Sequence, residues 1–144
     1  MKKERRPLRL PEIKAGEWKG EIFGGSTVHL GHVIQDSPPK RSVEFSYITN
    51  PTGFAAVGSN FTWPGVLTIV APAHLMKKSS NAGQLYKVKK LPSLMLSLEV
   101  ERDQFSDILR ALENKRLKNF YFSLEAELDD AWPVRAWGLT YEIG

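Results

Sequence analysis

The sequence predicts a mainly β domain: an antiparallel two-sheet β-sandwich, or partly open barrel, with one short crossover helix near residues 103–114. Three observations predict it. Apolar residues alternate with polar ones over several short stretches, as half-buried strands require. Turn signals recur about every 8–12 residues, the spacing of sandwiches and barrels. Only one stretch carries a helical period: Phe105, Ile108, Leu109 and Leu112 fall at i, i+3, i+4 and i+7.

Residues 1–16 read as a flexible basic N-terminal arm, with charge, Pro7 and Pro11 but no sustained period. Leu8, Leu10 and Ile13 are its apolar residues. Residues 17–144 read as a single β-rich domain, in keeping with a chain of 144 residues. "GEWKGEIFGG" and "STVHLGHVI" are the first strands, with Gly24-Gly25-Ser26 as a hairpin turn between them. "SVEFSYIT" alternates Val43, Phe45 and Tyr47 against Glu44 and Ser46, and "NPTG" after it is a turn. "NFTWPG" ends in a turn, and "VLTIVA" is a continuous run of the buried type. A mobile basic loop is expected near residues 75–90. Within it "LYKVKK" reads as an edge strand, because edge lysines discourage strand addition.

The segment 94–127 is the clearest module. Leu94, Leu96, Leu98 and Val100 share one strand face. Asp103 and Asp107 stand near the start of the helix, Lys115 and Arg116 past its end. Phe120, Phe122, Leu124 and Ala126 then share the inner face of a second strand. A last strand, "VRAWGLTYEI", places Trp137, Leu139, Tyr141 and Ile143 on one side.

The absence of cysteine excludes disulfides, thiolate metal sites and cysteine nucleophiles. No apolar segment follows the basic start, and "VLTIVAPA" is too short to span a bilayer, so a cytoplasmic protein without a membrane partner is expected. The net charge of +4 is unevenly spread. Residues 1–14 hold six Lys/Arg against two Glu, and residues 75–98 hold five lysines and no acid, while the C-terminal third is acidic.

No catalytic motif is recognisable: there is no GxSxG, P-loop, GxGxxG or HExxH. Phe23 to Thr27, "FGGST", precedes no helix that could supply a phosphate-binding N-terminus. Three weaker constellations remain. His29 and His32, with His74, are candidate metal ligands, but residues i and i+3 of a regular strand face opposite ways. Strand plus a Gly31 bulge is therefore favoured over a clasp, and no cofactor is expected. Lys77, Lys78, Tyr86, Lys87, Lys89 and Lys90, with Arg5 and Arg6 of the arm, are candidate contacts for nucleic-acid phosphates. Trp63 and Trp132, both followed by proline, are candidate protein-interaction residues at turns.

The expected function is a non-catalytic protein-binding or assembly module whose partner is another protein or itself. The alternatives are a nucleic-acid-associated accessory protein, a small His-ligated metalloprotein and, third, a ligand-binding barrel with an internal cavity.

Overall fold

A computed structural model describes residues 10–36, 38–71, 82–89 and 91–141. The elements are β1 (Gly16–Ile22), β2 (Thr27–Gln35), β3 (Arg41–Ala56), β4 (Trp63–Ala71), β5 (Gly83–Lys87), β6 (Leu94–Glu99), α1 (Arg102–Glu113), β7 (Asn119–Leu124) and β8 (Ala131–Leu139). The strands form one sheet in the order β1-β7-β8-β5-β6-β4-β3-β2, and β1 also pairs with β3. That extra pairing closes seven strands into a barrel and leaves β2 outside it. The two-sheet sandwich expectation is thereby corrected, while the barrel alternative is met in its coarse form.

Closure of seven strands has a topological consequence. Antiparallel neighbours alternate in direction, so an odd ring needs one parallel contact. It is β4 with β6, from Gly65 opposite Leu94 to Val70 opposite Glu99. All other pairings are antiparallel.

The alternation seen in the sequence sets the inner face. Ile48 and Phe54 of β3, Leu67 and Ile69 of β4, Leu85 of β5, Leu94, Leu96 and Leu98 of β6, and Phe120 and Phe122 of β7 are all buried in one core. Tight spots are filled by glycine beside a ring. Gly20 stands opposite Phe120 in the β1–β7 ladder, and the Phe120 ring occupies the space a Gly20 side chain would take.

Helix α1 closes one end of the barrel. It starts just past the C-terminal ends of the parallel strands, where the Val100 amide donates to the Val70 carbonyl. It ends before β7, which is separated from β6 by β8 and β5. Its inward stripe is Phe105, Ile108 and Ala111. A capping box of Glu101 and Gln104 satisfies its first amides. The sequence left this helix either crossing between the sheets of a sandwich or capping one end of a barrel; the second is the role it takes.

Several local expectations change. "NPTG", expected as a turn, lies within β3, and Trp132, expected at a turn, lies within β8. β1 and β2 are not a hairpin: both pair antiparallel with the same edge of β3, β1 against Thr52–Ala56 and β2 against residues 41–49. Residues 23–26 are a bulge in an otherwise continuous line, pinned by the Phe23 amide to the Pro51 carbonyl. β5, expected as an edge, lies inside the wall between β6 and β8. Trp63 opens β4 and pairs with Phe54 rather than ending a turn. The arm expectation falls mostly on residues 1–9, outside the described residues. Beyond them Ile13 is buried, Leu10 packs on the core, and the Trp18 indole donates to the Lys14 carbonyl at 3.0 Å.

Candidate functional site

β2 reads "TVHLGHVIQ", with β-branched residues at both ends and no charge. Its nine residues pair with β3 in unbroken register, from Thr27 opposite Thr49 to Gln35 opposite Arg41. The expected bulge at Gly31 is therefore absent. On the other side β1 is covered by β7, but β7 begins only at Asn119, opposite Glu21. Before that residue the chain has turned away into α1. So β2 runs on past the point where its neighbour stops, and among the described residues nothing pairs with its second edge.

An edge of that kind presents a row of unpaired N–H and C=O groups. Natural sheets usually blunt it with lysine, proline, a bulge or a short strand. β2 uses none of these. Three of its apolar side chains are more than half exposed: Leu30 at 71%, Ile34 at 56% and Val33 at 54%.

The two faces of β2 differ. Ile48 of β3 points into the core, so its register partner Val28, and with it Leu30, His32 and Ile34, share the face that continues the barrel interior. His29, Gly31 and Val33 share the outer face. There the His29 ring stacks on Tyr47 at 4.3 Å and Tyr47 lies beside Phe45 at 6.1 Å. The Phe45 ring covers Gly31. The two histidines thus face opposite ways, and His74 lies outside the described residues. No group of three His, Asp or Glu among the described residues is placed to hold a metal.

Beside the start of the free edge lies a groove of about 680 Å³. Ile22, Val28, Leu109, Leu112 and Leu117 line it, together with Glu113, Lys115 and Lys118. Ser26 also lines it and donates to the Oδ1 of Asn50, a fully buried residue of β3. The Nδ2 of Asn50 has no hydrogen-bond partner among the described residues, a cost of about 1–3 kcal/mol.

The other sequence-predicted residues lie at the opposite barrel end or outside the described residues. Trp63 is 1% exposed and Trp132 9% exposed, so both indoles are mainly packing groups. Lys87 lies over the Trp63 ring at 5.9 Å. Lys87, Lys89 and Trp132 line a cleft of about 640 Å³ with Leu10, Glu127 and Asp130. The two acids lie among the basic residues expected to meet phosphate. Tyr86 stands on the outer wall and donates to Gln84. Burial, and next the nearby Glu99 charge, push its phenol above the usual range, while burial raises the Glu99 carboxyl. Lys77, Lys78, Lys90, Arg5 and Arg6 lie outside the described residues.

No helix among the described residues is long and apolar enough to cross a membrane. No protein-family model, curated protein or solved structure matches the chain.

The free edge of β2 was missed by sequence reasoning. The signal was present as nine uncharged residues with apolar groups on both faces. What pointed elsewhere was the lysine pattern of "LYKVKK".

Proposed function

We propose that this chain is a non-catalytic assembly module that accepts a polypeptide strand along β2. The observation that supports it is the combination on one strand of a nine-residue edge left free among the described residues, no edge-blocking device and exposed apolar side chains. Main-chain pairing supplies affinity in such a mode, and alternate side chains supply choice of partner. The groove beside Val28 adds an apolar pocket for one side chain of the incoming strand. Contact with nucleic acid is the less favoured reading, because Glu127 and Asp130 share the cleft of Lys87 and Lys89.

The test is strand capture. The double variant Leu30→Lys/Ile34→Lys keeps the fold, since both residues are exposed, but charges the edge. Partners pulled down by the unaltered protein are lost by the variant, and β2 amides gain exchange protection in the complex. Equal capture by both proteins, with no added protection in β2, refutes the reading.

A further inference from the structure

We infer that the strand accepted by β2 is β2 of a second copy, in an antiparallel pair centred on Gly31. This rests on the reading of β2 as a strand-accepting edge, and it names the occupant.

Symmetry limits the registers. Two identical antiparallel edge strands are related by a two-fold axis perpendicular to the sheet, so directly opposed residues must share a face. The two residue numbers of each pair then add to an even total. Of these registers, the one centred on Gly31 overlaps all nine residues. It sets Val28 opposite Ile34 of the other copy, His29 opposite Val33, Leu30 opposite His32, and Thr27 opposite Gln35. No like charges meet, because β2 carries none.

Complementarity continues beyond the strand. Ile34 of each copy comes to lie beside Val28 of the other, at the groove lined by Leu109, Leu112 and Leu117. Past the end of the ladder, the exposed Asp36 comes to the side of Ser26, whose groove carries Lys115 and Lys118 beside Glu113. An apolar side chain thus meets the apolar part of the groove, and an acid meets a groove that carries two lysines against one glutamate, twice by symmetry. The same pairing uses up both free edges, so assembly stops at two copies rather than growing into a fibre. A strand pair with one groove contact per copy falls at the low end of specific interfaces, near ~1,200 Å² in total, so the dissociation constant is expected around the micromolar range.

The full chain is examined by sedimentation velocity from about 1 to 200 μM, a span chosen to bracket that affinity. A monomer–dimer equilibrium is expected, weakened at least about tenfold in Leu30→Lys/Ile34→Lys. Register is read by cross-linking, which is clean in a chain without cysteine. Opposed residues of an antiparallel pair lie about 4.5–5.5 Å apart at Cα, within disulfide reach. Leu30→Cys/His32→Cys therefore gives a covalent dimer under mild oxidant, and neither single variant matches it. A monomer throughout, species larger than a dimer, or a dimer indifferent to the lysines each overturns the proposal. If the protein stays monomeric yet captures another partner that the lysine variant loses, self-pairing falls and the strand-accepting edge stands. If both tests are negative, both readings fall.

Discussion

Replacing Gly20 by alanine tests the packing logic of the barrel. An added Cβ would sit 2.1 Å from Cζ of Phe120, with Cε1 and Cε2 at 2.4 and 2.7 Å. Non-bonded carbons settle at about 3.5–4.0 Å, so the ring has to retreat by roughly 1.5 Å. It has nowhere easy to go: Phe120 is fully buried, with Phe122 stacked at 5.8 Å and Phe54 edge-on at 6.3 Å. Overpacking of this kind costs about 1–3 kcal/mol, and a rigid ring puts Gly20→Ala at about 3. Phe120→Leu alone loses about 1–2 kcal/mol by leaving a void. In the double variant the methyl fills part of that void, so the combined loss is about 2–3 kcal/mol rather than the sum, a coupling of roughly 2 kcal/mol. Urea unfolding followed by tryptophan fluorescence reads all four corners of the cycle, with an unchanged m-value as the check on two-state behaviour. Gly31→Ala is the internal control. Its Cβ would also meet a ring, Cζ of Phe45 at 2.5 Å, but that ring is half-buried on the projecting β2–β3 pair and can swing outward. A near-neutral Gly20→Ala, strict additivity with Phe120→Leu, or a Gly31→Ala as damaging as Gly20→Ala would refute the reasoning.

Two further outcomes follow from one buried and one half-buried polar group. Asn50→Leu removes an amide whose Nδ2 lacks a partner among the described residues and frees only the exposed Ser26 hydroxyl, so thermal unfolding should show a neutral or stabilising effect, whereas Asn50→Asp should destabilise. Glu99 has its carboxyl raised by burial, so the native state binds more protons than the unfolded chain just above the ordinary carboxylate range, and stability falls as pH rises through that window. Glu99→Gln should therefore gain melting temperature over the unaltered protein at neutral pH and lose that gain in acid; a gain independent of pH would refute the assignment.

Much of the local structure is legible in the chain. The alternation of Leu94, Leu96 and Leu98, and of Phe120, Phe122 and Leu124, marks strands and their inner faces. The stripe Phe105, Ile108, Leu109, Leu112 locates α1, found one residue earlier at each end. The opposed directions of His29 and His32 follow from strand geometry alone. The candidate site was less legible, because exposure of an edge is not a property of the strand that carries it. Lys87 and Lys89 suggested an edge at β5, yet an outward-facing lysine is equally at home on the outer wall of a barrel.

The sequence by itself determined most of the strand segments, where the single helix lies and which side chains turn inward, since these depend on side-chain period over neighbouring residues; it did not show that β3 runs on through "NPTG". Only the tertiary structure decided the closure of seven strands, the parallel contact of β4 with β6, and the free edge of β2. Those depend on which distant segments share a ladder, and among the described residues β2 is left open because β7 starts at Asn119, opposite Glu21, and goes no further along the line that β1 and β2 share.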